Sequence, residues 1–160
     1  MHKRVKMKSK KIITIVIFLM SFTLNNAYAQ RSSLTYQDLF EGKVVPKKEM
    51  MMTEVRGDKL RSLGLDSFKS VRFSADSQRL VQVGTIISNA VAQSVESDTE
   101  SFGGVLTYAL IYLGGTEKKT YMGYQVNGDS GRYEITVLLF SGKTTAEELK
   151  EKFIRKKSNK

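Results

Sequence analysis

Val105-Leu106-Thr107-Tyr108-Ala109-Leu110-Ile111-Tyr112-Leu113, followed by Thr120-Tyr121-Met122-Gly123-Tyr124-Gln125-Val126 and Tyr133-Glu134-Ile135-Thr136-Val137-Leu138-Leu139-Phe140, decides the fold. Successive side chains of a strand point to opposite faces. In the first run Leu106, Tyr108, Leu110 and Tyr112 share one face, while Val105, Ala109, Ile111 and Leu113 share the other. Both faces of that strand are therefore expected to be covered in part. In the third run Tyr133, Ile135, Val137 and Leu139 alternate with Glu134 and Thr136. Gly114-Gly115 marks one turn, Asn127-Gly128-Asp129-Ser130-Gly131 a hairpin loop, and Gly142 the end of the last strand. Three strands joined this closely form an antiparallel meander.

Upstream, Phe68 to Ala75 alternates in the same way, with Val71, Phe73 and Ala75 on one face. Asp76 then stands at a helix N-cap. Leu80, Val83, Ile87, Ala90, Val91 and Val95 recur at spacings of three and four, which is the stripe of an amphipathic helix. Met50 to Val55 reads as a short strand closed by Gly57-Asp58. Its three consecutive methionines are apolar filler, since neighbours on a strand cannot all reach one ion. After Gly142, Thr145 with Glu148, or Thr144 with Glu147, makes a capping box, and Ala146, Leu149 and Phe153 give a closing helix its buried stripe. The order predicts a two-layer α+β domain: a mainly antiparallel sheet of four to five strands with two helices packed on one face.

The first 29 residues read differently. Lys3, Arg4, Lys6, Lys8, Lys10 and Lys11 precede an apolar run from Ile12 to Leu24, and Ala27-Tyr28-Ala29 supplies the small residues of a peptidase site. A cleaved signal peptide is expected, leaving a chain from Gln30 with no transmembrane span. These thirteen residues, interrupted only by Thr14, Ser21 and Thr23, at about 1.5 Å each fall short of a membrane core about 30 Å thick. Residues 30–48 are a poorly defined segment, although Thr35-Tyr36-Gln37-Asp38 has capping-box character. Residues 49–156 are the single domain and 157–160 a basic tail. The whole chain carries a net charge of +10, but the leader holds six of the 26 basic residues and none of the 16 acidic ones. Between residues 30 and 154 the charges balance, so nucleic acid is not an expected partner.

Absent chemistry narrows function. His2 is the only histidine and lies in the leader, and the chain has no cysteine. A Ser-His-Asp or Cys-His site, a Cys/His zinc site and thiol redox chemistry are excluded from the mature chain. No G-x-S-x-G or phosphate-binding glycine loop is present, and no cofactor is expected. The reading leans away from an enzyme. Glu96, Asp98 and Glu100 alternate in what reads as a loop before Phe102-Gly103-Gly104, a weak calcium candidate that lacks the glycine and closing glutamate of a calcium loop. Tyr108, Tyr112, Tyr121, Tyr124 and Tyr133 sit on adjacent strands, where flat rings with polar tips suit glycan or peptide contacts. Tyr121 and Tyr124, expected on opposite faces, are the rings most expected to be exposed and to bind.

The segments Thr53-Glu54-Val55-Arg56-Gly57-Asp58-Lys59-Leu60 and Leu65-Asp66-Ser67-Phe68-Lys69-Ser70-Val71-Arg72-Phe73, with Gly142 and Glu147-Glu148-Leu149-Lys150, resemble a group of small exported Bacteroidetes proteins classed as domains of unknown function. The resemblance implies a periplasmic or cell-surface setting and carries no catalytic residues across. The function expected is that of an exported, non-enzymatic domain, periplasmic or secreted, binding a protein or an envelope glycan through the open sheet face or its edge. The alternative is a carboxylate-dependent hydrolase acting on an envelope polymer. The sequence leaves the partner and the oligomeric state open.

Overall fold

The computed structural model describes residues 33–129 and 131–154. The chain divides into two units, 1–33 and 34–160. The expected signal peptide and the basic tail lie outside the described residues. Among the described residues no helix is long and apolar enough to cross a membrane.

A short helix α1 (Tyr36–Glu41) leads through a single 3-10 turn to β1 (Met50–Arg56). A 3-10 segment (Asp58–Leu63) connects it to β2 (Leu65–Ala75), and helix α2 (Ser77–Ala92) follows. Then come β3 (Glu96–Phe102), β4 (Val105–Gly114), β5 (Lys119–Asp129) and β6 (Arg132–Gly142), and α3 (Ala146–Leu149) runs into a π turn (Lys150–Ile154). The six strands form one antiparallel sheet in the order β1-β2-β6-β5-β4-β3. It is therefore an α+β structure with six strands rather than four to five, and its helices are few and small. The last four strands are a meander, and β6 returns to pair with β2, setting Val71 beside Val137.

The two faces of the sheet have different covers. On the first, Leu80, Val83, Ile87 and Ala90 of α2 pack with Val71 and Phe73 of β2, Ile111 of β4, Met122 of β5 and Val137 of β6, and Leu39 of α1 joins them. Asp76 caps α2 as its position predicts, accepting a hydrogen bond from the Arg79 backbone N–H at 2.8 Å. The helix stops at Ala92, so Val95 lies beyond it and is exposed rather than part of the stripe.

On the second face Leu149 of α3 packs with Leu60 of the 3-10 segment and with Leu65, Leu110, Tyr121 and Phe140 of the sheet. The Phe68 and Phe140 rings meet there with centroids 5.4 Å apart. Leu110 and Ile111, adjacent on β4, join opposite clusters, which follows from the two-residue period of a strand. The expectation of two helices on one face is thus corrected: α2 and α3 lie on opposite faces. The apolar alternation of β4 on both sides required this, because each face needs a cover of its own. α3 is held by the Thr145 box. The Thr145 hydroxyl accepts from the Glu148 N–H, while the Glu148 carboxylate accepts from the Thr145 N–H and the Thr144 hydroxyl.

Candidate binding surface

Glu96 to Phe102 contains no apolar alternation, yet it is a strand. Its conformation is imposed by pairing with β4 and by the turn that joins them. Phe102 pairs with Val105, leaving Gly103 and Gly104 as a two-residue loop with φ of +59° and +79°. Positive φ at both central residues is the type I′ hairpin geometry that glycine adopts without strain. The acidic segment is therefore an edge strand, correcting the loop expected there, and all seven of its residues are exposed.

The register then brings two separate sequence clues together. Glu96 stands opposite Tyr112, Asp98 opposite Leu110, and Glu100 opposite Tyr108. On the next strand Tyr112 stands opposite Tyr121, with ring centroids 5.0 Å apart and planes tilted by 30°. The carboxylates and three of the five tyrosines thus share the second face, beside α3. A groove of about 250 Å³ lies here, lined by Glu96, Asp98, Tyr112, Tyr121, Lys119, Glu147 and Lys150. A broader depression of about 470 Å³, lined by Asp98, Glu100, Tyr108, Gln125 and Lys150, adjoins it through the residues they share.

Charge and hydrogen bonding fix the groove walls. The Lys150 ammonium donates to the Asp98 carboxylate at 2.6 Å, tying the π turn to the edge strand. That contact holds the Lys150 pKa above its ordinary value. The Tyr112 hydroxyl donates to the Gly115 carbonyl at 2.7 Å, which fixes its ring. Burial raises the Tyr121 pKa, and the neighbouring Tyr112, Glu147 and Glu96 push it the same way. Tyr108 is raised by burial first and by Asp98 second.

The expected exposed rings are not exposed. Tyr121 retains 5% of its surface and Tyr124 1%, because β5 lies inside the sheet with α3 over one face and α2 over the other. They do lie on opposite faces, as the alternation requires. Tyr133 is half-buried against the first cluster. Half-buried Tyr112 and Tyr108 line the grooves as well, the former beside Tyr121. The weak calcium candidate Glu96, Asp98 and Glu100 lies along one side of β3. Among the described residues no three His, Cys, Asp or Glu side chains gather as a metal site, and Asp98 is engaged by Lys150.

Lys119, Glu147 and Lys150 were not read from the sequence as residues of a binding site. They come from β5 and the C-terminal helical segment, and only the packing of α3 on the second face sets them beside β3. The available signal for β3 itself was Gly103-Gly104, a two-residue hairpin dipeptide preceding a strong strand.

No curated protein and no solved structure matches this chain. A family model described as a family of unknown function, DUF6108, matches residues 22–153. The chain, in which the grooved second face and its acidic edge strand fall within that match, belongs to this family of unknown function.

Proposed function

We propose that this chain is an exported, non-enzymatic domain that binds a protein partner at the β3 side of its second face. Export rests on the basic, apolar and small-residue pattern of residues 1–29. The observation that carries the binding reading is β3 itself: a fully exposed edge strand whose second-face carboxylates, Glu96 and Glu100 flanking the Lys150-paired Asp98, border two adjoining tyrosine-lined grooves. An edge strand offers unpaired backbone groups to an incoming extended segment. Its acidic side chains select for Lys or Arg at alternate positions of that segment. Tyr112 supplies the flat apolar contact beneath.

The tyrosine pair supports an envelope glycan as a second reading, since a ring wall suits a sugar face. A carboxylate-dependent hydrolase fits less well. Its acid needs a buried, apolar setting to hold a proton near neutral pH. Glu96 and Glu147 are exposed, and Asp98 is ion-paired.

The test uses calorimetry with an extended peptide alternating Lys and Thr, and a second peptide of equal charge interrupted by prolines. Strand addition predicts binding of the first alone, and its loss with Glu96→Lys/Glu100→Lys. Equal binding of both peptides would reduce the effect to charge attraction. Binding of soluble envelope glycan fragments instead, abolished by Tyr112→Ala, would favour the second reading.

A further inference from the structure

The sheet has a second edge, and it is built unlike the first. β1 pairs with β2 on its inner side, and no strand pairs with its outer side among the described residues. Met51 is 67% exposed and Met52 44%. Free strand edges invite pairing with another chain, and proteins block them with charge. β3 is blocked against its own kind. In an antiparallel pair of two β3 strands, the symmetric registers centred on Asp98 or Thr99 oppose carboxylate to carboxylate, either Asp98 to its copy or Asp98 to Glu100.

β1 has no such block. A two-fold axis through Thr53 pairs all seven residues of β1 with a second β1. Val55 then stands opposite Met51 of the other copy, Met52 opposite Glu54, Met50 opposite Arg56, and Thr53 opposite itself. No like charges are directly opposed. Met51, Thr53 and Val55 share the second face, where Val55 already packs against the apolar cluster, so the cluster would continue across the seam. Met52 and Met50 share the first face, and methionine adapts to such irregular contacts. Glu54 holds both Arg56 and Lys69 in ion pairs, so its carboxylate enters the seam already compensated, with one positive charge per copy left in excess on the first face.

We infer that two copies of this chain pair β1 to β1 about Thr53, giving one continuous antiparallel sheet across a symmetric dimer. The shared edge is about 23 Å long at 3.3 Å per residue. A contact of that size lies at the weak, transient end of protein interfaces. The dimer is accordingly concentration-dependent and leaves the two β3 edges at its far ends.

Sedimentation velocity over a wide concentration range is the direct test, on the unmodified protein and on exposed-edge variants. Unmodified protein should pass from monomer to dimer as concentration rises. Thr53→Lys and Thr53→Glu alone, each opposing like charges across the axis, should weaken association by roughly tenfold. An equimolar mixture of the two should restore it as a heterodimer. In the unmodified chain, hydrogen exchange at β1 amides should slow with concentration while β3 amides do not change, a readout that stands even if a variant folds poorly. Monomer at every concentration, unaltered association of both variants, or slowing at β3 rather than β1 would overturn the inference.

Discussion

Tyr124 carries a hydroxyl into the apolar layer under α2, where it finds no hydrogen-bond partner among the described residues. Burial pushes its pKa from 10.0 up to about 12. Both facts have measurable consequences. A buried, unsatisfied polar group costs about 1 to 3 kcal/mol. Tyr124→Phe keeps the ring and removes that cost, so it should raise stability by roughly 1 kcal/mol in chemical denaturation. Tyr124→Ala should instead lower it by about 3 to 5 kcal/mol, as for other buried aromatics. The pH dependence follows from the folded-state pKa lying above the unfolded one. The contribution is complete below pH 10, the unfolded value, and is lost as pH rises toward the folded value of about 12. Tyr124→Phe should therefore show a shallower fall in stability across that window. An unchanged alkaline profile would mean that the phenol is already hydrated.

Elements differed in how far the sequence betrayed them, and β3 shows why. β2 and α2 were legible because their burial follows from local period: Val71, Phe73 and Ala75 at every second residue, Leu80, Val83 and Ile87 at helical spacing. β3 has no apolar period, because as an acidic edge strand it buries no side chain, and its order comes from β4 and a glycine turn. That places its stability in the hairpin. Gly103 at φ +59° has open space around its missing side chain, so substitution there tests backbone conformation rather than crowding. Gly103→Val should cost about 1 to 2 kcal/mol through left-handed strain, and Gly103→Asn less. Faster hydrogen exchange across β3 in the Val variant, with β5 unaffected, would locate the damage. Equal cost for Val and Asn would show that the turn does not hold this geometry. The grooves were legible only as parts: the acids and tyrosines were visible, but their meeting depends on register, and Lys150 joins them only through the fold of the C-terminal segment.

The molecule as a whole depends on a seam between early and late sequence. β2 lies inside the sheet, yet its inner neighbour is β6, and the pairing of Val71 with Val137 spans α2 and three intervening strands. Both apolar clusters cross this seam, the first through Phe73 and Ile135 and the second through Leu65 and Phe140. Bringing such distant segments together costs loop entropy before any contact repays it, which slows folding. The consequence concerns time during synthesis. Until β6 is available, β2 has only the exposed β1 to pair with, and neither cluster can close. A chain truncated after Asp129 should therefore show no cooperative melt and little protection in β2, despite retaining five of the six strands. Native-like protection in that fragment would show that the β3–β5 meander and the β1–β2 hairpin order independently. If the seam does control closure, the chain emerges in a pliable state that persists until its last strand is made.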